Sequence, residues 1–248
     1  MWTRAQLKQN AKNVLKNNYW MALLVCLVFT LIVGGISGAG SGASSAMETT
    51  SQTMGSDGGT NMDFGVLAIL GMAAALVGLG ASLVSLCCSF FLSSPLAVGK
   101  SRYFLESRAN GSGFDRLFFS FKNHYLSTCG SVFLTNLFIG LWSLLLLVPG
   151  IVKAYQWTLV PYLLAENPGM TGKRARALSS AMTDGEKWNI LVLDLSFLGW
   201  GLLAALTCGI GTVFLTPYIE ATKAELYAVL REKALANGTV TPEELPGV

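Results

Sequence analysis

Charged residues are scarce in this chain of 248 residues. Asp, Glu, Lys and Arg together make up 12% of the sequence, whereas an average soluble domain carries about 25%. Apolar residues make up 52%, and long stretches carry no charge at all. This composition excludes an ordinary soluble domain, a disordered chain and a disulfide scaffold. It predicts an all-α, polytopic membrane helical bundle that forms a single membrane domain over residues 1–248.

The chain also has little of the chemistry that metal sites and catalytic centres need. It contains one histidine, His124, and five cysteines without a CxxC pair. A zinc site with four nitrogen or sulfur ligands cannot be assembled convincingly from this set, and no nucleophile with an adjacent base is visible. The net charge of +3 is too small for a nucleic-acid-binding surface. We therefore expect no metal, no cofactor, no nucleic-acid partner and no enzymatic activity.

Six apolar segments are candidates for membrane-spanning helices, because a bilayer core requires about 20 apolar residues of helix. They cover residues 19–37, 64–96, 126–148, 151–165, 188–207 and 212–230. Six spans form three hairpins, whose outer connections are the loop 38–63, Pro149-Gly150 and residues 208–211. Loop 38–63 is rich in Gly, Ser and Thr, so we expect it to be flexible and extracytoplasmic.

Positive charge predicts the orientation of these spans. All but one of the 17 Lys and Arg residues fall on one side of the predicted topology, and the exception is Lys153. Positively charged loops stay on the cytoplasmic side, so both termini and the tail 231–248 are predicted to be cytoplasmic. Alternatively, the first span is a cleaved secretory signal, which would leave five spans and an N-terminus on the outside.

A unit of three parts recurs three times along the chain. It consists of a basic amphipathic helix, a span, and a second span that contains a proline: Pro95, Pro161 or Pro217. Proline removes a backbone hydrogen bond, so we expect each of the three to kink its helix. The kink is either a gate or a packing device.

The amphipathic helices of this repeat are predicted to be cytoplasmic. The first is the N-terminal helix 1–18, in which Thr3-Arg4-Ala5-Gln6 has the spacing of a capping box. The other two precede the second and third hairpins. Their apolar stripes are Leu7, Ala11, Val14 and Leu15; Phe114, Leu117, Phe118 and Phe121; and Ala175, Leu178, Ala181 and Met182. Basic helices of this kind lie in the membrane interface, where they anchor helix ends or bind anionic lipids.

Three ionisable residues fall within the last two predicted spans. Counted at about 1.5 Å per residue, Asp194 and Lys223 reach a similar depth and can pair between the two spans. Glu220 and Lys223 can also pair at i,i+3. Asp194, Glu220 and Lys223 therefore form a predicted intramembrane polar cluster. It is either a structural clamp or a proton or cation relay, since ionisable residues inside spans are costly and often functional.

Several motifs together resemble a bacterial integral membrane protein family, domain of unknown function (DUF) 975. They include Leu195-Ser196-Phe197-Leu198-Gly199-Trp200, Gly209-Ile210-Gly211, Pro217-Tyr218 and Pro149-Gly150-Ile151-Val152-Lys153-Ala154-Tyr155. The resemblance covers nearly the whole chain except loop 38–63. It implies a six-span protein of the bacterial plasma membrane, distantly similar to the membrane regions of some glycerophosphodiester phosphodiesterases. It implies no established activity, so no catalytic residue is carried over.

The sequence favours a non-enzymatic, multi-pass membrane protein that interacts with envelope lipids or protects the membrane. Its expected partners are membrane lipids, mostly anionic, and the sequence is also compatible with a homo-oligomer or another membrane partner. The alternative function is a small transporter or channel that uses Asp194 and Glu220. A weaker alternative is a membrane-embedded enzyme that acts on lipid.

Overall fold

The computed structural model describes residues 2–56, 91–108, 113–122, 124–207 and 209–247, together with Met72, Leu76, Val77 and Gly80. For residues 35–56 it describes only the backbone. All the regular structure in these ranges is helical, which confirms the prediction of an all-α chain. Most of the second predicted span, 64–96, and part of loop 38–63 lie outside the described residues.

The helices are numbered in chain order. They are α1 (Arg4–Ser56), α2 (residues 91–108), α3 (Phe119–Lys122), α4 (Tyr125–Leu145), α5 (Leu147–Gln156), α6 (Val160–Glu166), α7 (Gly172–Met182), α8 (Lys187–Leu206) and α9 (Ile210–Ala236). A 3₁₀ helix, Phe114–Phe118, runs directly into α3.

The chain divides into two compact units. One consists of residues 1–29 and 94–248, and the other of residues 30–93. The second unit contains the helical residues 30–56. Every contact discussed below lies within the first unit.

Helix α1 bends sharply near its start. Asn18 leaves the helical conformation (φ −128°, ψ 21°), and the segments Arg4–Lys16 and Asn18–Gly34 meet at 98°. We call the first segment the N-terminal arm. The arm begins as its sequence suggests, because the Thr3 hydroxyl accepts a hydrogen bond from the backbone N–H of Gln6 at 3.3 Å.

The apolar stripe of the N-terminal arm packs against protein. Leu7, Ala11 and Leu15 are all buried, and none is more than 6% exposed. The opposite face carries cations that are exposed to the surroundings, namely Arg4, Lys12 and Lys16. Most of the apolar surface of the arm is therefore buried against the rest of the protein. The surface that remains exposed is mainly positively charged.

Within the described residues, two helices are long and apolar enough to cross a membrane. They are α4 and α8, which coincide with the predicted spans 126–148 and 188–207. Only 28% and 22% of their most apolar windows are buried in the protein, so most of their apolar side chains face outward, as expected in lipid. The two segments of α1 qualify as a third crossing only if the bent pair counts as one span.

The fourth predicted span, 151–165, is not one continuous helix. Helix α5 ends at Gln156, and α6 begins at Val160 after a turn. Pro161 accordingly lies in the first turn of α6 and does not kink the interior of a span, which corrects the prediction for this residue. A proline is tolerated there because the first N–H groups of a helix have no partner within it.

The turn predicted at Pro149-Gly150 is also displaced. The chain leaves the helical conformation at Leu146 (φ −154°, ψ 126°), and both residues lie inside α5. Pro149 is in its first turn, where proline is again compatible with a helix. A Cβ atom on Gly150 would lie 2.4 Å from the Ser143 hydroxyl oxygen, so glycine allows α4 and α5 to pack closely.

The other two repeat prolines lie in helices. Pro217 is buried inside α9, and Pro95 belongs to α2, whose earlier course is outside the described residues. Gly209 joins α8 to α9 with φ 83°, a conformation that favours glycine. The Thr207 hydroxyl accepts a hydrogen bond from the N–H of Gly211 at 2.9 Å and so helps to begin α9.

Candidate functional site

Glu220 on α9 is paired with a cation in a largely enclosed position. Lys100 on α2 donates a hydrogen bond from Nζ to Glu220 Oε1 at 2.8 Å, and the two side chains are only 13% and 17% exposed. The Lys100 ammonium also lies 4.3 Å from the centre of the Phe29 ring on α1. The Tyr162 hydroxyl of α6 is directed at the same carboxylate. Four helices thus meet at one neutralised ion pair.

Asp194 on α8 has different surroundings. It is half-buried and borders a groove of about 540 Å³ between α5 and α8. The polar group beside it is the Tyr155 hydroxyl of α5. Among the described residues no Lys or Arg forms an ion pair with Asp194. This carboxylate is therefore available to a ligand in a way that Glu220 is not.

The predicted cluster of Asp194, Glu220 and Lys223 is only partly assembled. Lys223 is close enough to Glu220 for electrostatic attraction, but the cation that is hydrogen-bonded to Glu220 is Lys100. In the described part of the chain, Asp194 and Lys223 do not form the expected ion pair. Lys100 falls outside the six predicted spans, in the connection between the second and the third. Its pairing with Glu220 could therefore not be predicted from the sequence.

A second enclosed carboxylate, Glu166 at the end of α6, holds the C-terminal segment. Its side chain is 1% exposed and accepts hydrogen bonds from the Tyr227 hydroxyl (2.6 Å), Arg231 Nε (2.8 Å) and the Gly247 N–H (2.8 Å). Arg231 also donates to the Leu245 carbonyl at 2.7 Å. The residues after α9 therefore pack back onto α6. This role of Glu166 could not be predicted from the sequence, because its partners are 61 or more residues away along the chain.

A weaker contact fastens the same segment at the surface. Arg174 on α7 forms two hydrogen bonds to the Glu244 carboxylate, at 2.6 and 3.0 Å. These bonds and the Arg174 charge outweigh the effect of burial and hold the pKa of Glu244 below its usual range. The Asn167 side chain adds a hydrogen bond to the Glu244 carbonyl at 3.1 Å.

A cavity of about 700 Å³ lies between the start of the N-terminal arm and the start of α8. Arg4 and Lys8 line one side, and Glu186 and Asn189 line the other. Trp2 also borders the cavity, and its buried indole N–H is directed at the Glu186 carboxylate. The cavity thus offers two cationic side chains, those of Arg4 and Lys8.

Glu186 does not neutralise these cations, because it is already engaged. It accepts hydrogen bonds from Lys233 Nζ at 2.7 Å and from the Asn189 amide at 2.8 Å. Burial raises the pKa of Glu186, but these hydrogen bonds and the Lys233 charge outweigh burial and lower it overall. In the described part of the chain, Arg4 and Lys8 form no ion pair with any acid. We call this space the basic cavity.

The structure describes no centre suited to a metal. No group of three or more His, Cys, Asp or Glu side chains converges within the residues it places. The side chains of Cys26 and Cys129 are buried. The prediction that the chain needs no cofactor stays a prediction.

Comparison with protein families gives one match. Residues 144–234 match the family described as Protein of unknown function (DUF975). The matched segment runs from the end of α4 into α9, and it includes both Asp194 and Glu220. No curated protein and no solved structure matches the chain. The family resemblance is thereby confirmed for this segment as a domain of unknown function.

Proposed function

We propose that the protein is a non-enzymatic, multi-pass protein of the bacterial plasma membrane that binds anionic lipid headgroups at the cytoplasmic surface. The observation that carries this proposal is the basic cavity. A phosphate group presents several hydrogen-bond acceptors and negative charge. Arg4 and Lys8 line the cavity and form no ion pair with an acid among the described residues, although the Lys8 ammonium also lies 4.3 Å from the centre of the Phe197 ring.

The position of the cavity supports a lipid as the source of the phosphate. The N-terminal arm meets the following apolar segment at 98°, so the arm would lie along the membrane surface if that segment crosses the bilayer. Trp20 at the bend is 78% exposed, and Trp188 at the start of α8 is 72% exposed. Exposed tryptophans are enriched at the level of lipid headgroups. Trp188 lies between Glu186 and Asn189, which line the basic cavity, and Trp20 follows the bend at the other end of the arm.

The charge on the rest of the arm supports the same lipid class. Lys12 and Lys16 are exposed on its outer face. A basic segment at a membrane surface gains about 1 kcal/mol per Lys or Arg from anionic lipids. These lysines would attract the same lipids without selecting a particular headgroup position, whereas Arg4 and Lys8 line a defined cavity.

Lipid titration of the purified full chain tests the proposal. Native mass spectrometry would compare binding of phosphatidylglycerol and phosphatidylcholine to the wild type, to Arg4→Gln/Lys8→Gln and to Lys12→Gln/Lys16→Gln. Direct hydrogen bonds from charged groups contribute about 1.5–3 kcal/mol each, so we expect the first variant to lower phosphatidylglycerol affinity at least about 100-fold. The second variant removes the same charge from the same arm and should cause a clearly smaller loss.

Two results would contradict the proposal in different ways. Equal affinity of the wild type for the two lipids would exclude selective binding of anionic headgroups. Equal losses in the two double variants would show that the attraction is spread over the arm and that the basic cavity is not the site.

A second candidate function is a small transporter, and the open position of Asp194 is the observation that favours it. This function predicts solute flux in proteoliposomes that is lost in Asp194→Asn. Glu220 supports it less well than the sequence alone does, because Lys100 already neutralises that carboxylate.

A further inference from the structure

We infer that the groove between α5 and α8 binds a lipophilic cation, an amphipathic molecule whose positive charge pairs with the Asp194 carboxylate. This site differs from the basic cavity in location and in the sign of its charge, so the inference goes beyond the proposed function. It follows from the charge of the groove, from the way the groove opens, and from its size.

The charge of the groove lacks a counterpart in the described structure. A carboxylate that has no cation beside it in an apolar setting is costly, so Asp194 favours a cation from outside. Lys153 is on the neighbouring helix α5 but lies over the rings of Trp142 and Trp157, at 5.8 and 5.3 Å, and does not line the groove. Tyr155 and Thr158 supply hydroxyl groups beside the acid.

The groove opens through apolar side chains. Ile151 on α5 is 44% exposed and Leu195 on α8 is 59% exposed, and both line the groove. Helix α8 is one of the two helices able to cross a membrane, and its exposed apolar surface is expected to face lipid. A ligand that enters between these side chains comes from the bilayer, so it must carry apolar groups as well as its charge.

The size of the groove suits one small amphipathic molecule. Its volume of about 540 Å³ falls within the roughly 300–1,000 Å³ that is typical of sites for drug-sized ligands. Apolar walls with a few polar groups are also typical of such sites. Here the carboxylate would fix the orientation of the ligand, and Ile151, Leu191 and Leu195 would contact its apolar part.

Binding of radiolabelled tetraphenylphosphonium to the full chain in phosphatidylcholine nanodiscs tests the inference. Tetraphenylborate has nearly the same shape and the opposite charge, so it separates charge recognition from apolar partitioning. We expect saturable binding of the cation, no saturable binding of radiolabelled tetraphenylborate measured in separate samples, and at least a tenfold lower affinity for the cation in Asp194→Asn.

Two further variants locate the site. Asp184→Asn removes one negative charge from the turn before α8, where the Asp184 side chain is 80% exposed, and should leave cation binding unchanged. Leu195→Trp fills the groove without changing its charge and should lower binding. Saturable binding of tetraphenylborate, or unchanged cation affinity in Asp194→Asn, would overturn the inference, as would the absence of saturable cation binding in the wild type. Phosphatidylglycerol binding by Asp194→Asn should equal that of the wild type, so this inference and the proposed function can fail separately.

Discussion

Glu220 and Asp194 are both acids in apolar stretches of the chain, yet their surroundings differ in kind. Glu220 meets Lys100 at 2.8 Å at the junction of α1, α2, α6 and α9. Asp194 borders a groove between two helices and has a tyrosine hydroxyl beside it. An acid inside an apolar stretch therefore has a structural role when the fold supplies its counterion. It is a candidate for ligand binding when the fold does not.

Of the variants considered for these acids, removing the counterion of Glu220 should lower the free energy of unfolding most. Lys100→Met removes the hydrogen-bonded counterion of an enclosed carboxylate and leaves only the charge of Lys223 nearby, and breaking a buried ion pair costs about 3–5 kcal/mol. We expect a loss of this size in the free energy of unfolding, measured by denaturation with sodium dodecyl sulfate in mixed micelles.

The double variant Lys100→Met/Glu220→Leu provides the control for this prediction. It removes both charges, so it should recover much of the stability lost in the single variant. If the single and double variants are equally destabilised, the unpaired charge is not the cause and Lys100 acts through packing.

Glu166 is a third acid for this comparison, and it is more enclosed than Glu220 and holds the C-terminal segment. Glu166→Gln loses the charge that Arg231 and the Gly247 N–H contact, and hydrogen bonds to charged groups contribute about 1.5–3 kcal/mol. We expect a stability loss of roughly 2–3 kcal/mol, with faster hydrogen exchange in residues 238–247. Unchanged exchange in that segment would show that other contacts hold it.

Asp194→Asn should change stability much less than either of these variants. The asparagine has nearly the same shape, and no protein cation loses its partner. We expect a change within about 0.5 kcal/mol in the same unfolding measurement. A loss as large as that of Lys100→Met would abolish the distinction between the two acids.

Protonation of Glu244 should have the smallest effect on stability, because its contact with Arg174 is at the surface. The folded pKa of Glu244 is below its usual value, so its stabilisation is present above the unfolded pKa of about 4.3 and is lost as pH falls through the folded value. We expect residues 238–247 to lose protection over that range, by less than about 1 kcal/mol, in hydrogen exchange corrected for the chemical rate.

The neighbouring residue supplies a matched control for this pH dependence. Glu244→Gln should weaken the segment already at neutral pH and remove the response below pH about 4.3. Glu243→Gln should retain the wild-type response, because Glu243 is exposed and forms no ion pair among the described residues. An identical response in both variants would place the titrating group elsewhere.

Local features of the fold could be predicted because they depend on neighbouring residues. Long apolar stretches identified α4 and α8, and the capping role of Thr3 followed from the residue types at the start of the chain. The errors fell at prolines. Pro149 was predicted to form a turn and Pro161 to kink a span. Both lie in the first turn of a helix, where proline is compatible with the helix and does not interrupt it.

The candidate sites could be predicted only in part, because their partners are distant in sequence. Glu220 and Asp194 were identified as unusual, since an acid in an apolar stretch is visible in the chain itself. Lys100 could not be assigned to Glu220, because 120 residues separate them. Arg4 and Lys8 likewise line the basic cavity together with Glu186, and this proximity could not be predicted because the residues are far apart in the sequence.

By itself, the sequence determined the helical class, the two most apolar helices and which acids would be costly to place among apolar side chains. Those properties follow from residue type and from contacts along the chain. The tertiary structure alone decided which acid is neutralised and which cations are left without an acid, because the electrostatic energy of a charge depends on what lies within a few ångströms of it. Helices separated by more than a hundred residues supply those neighbours.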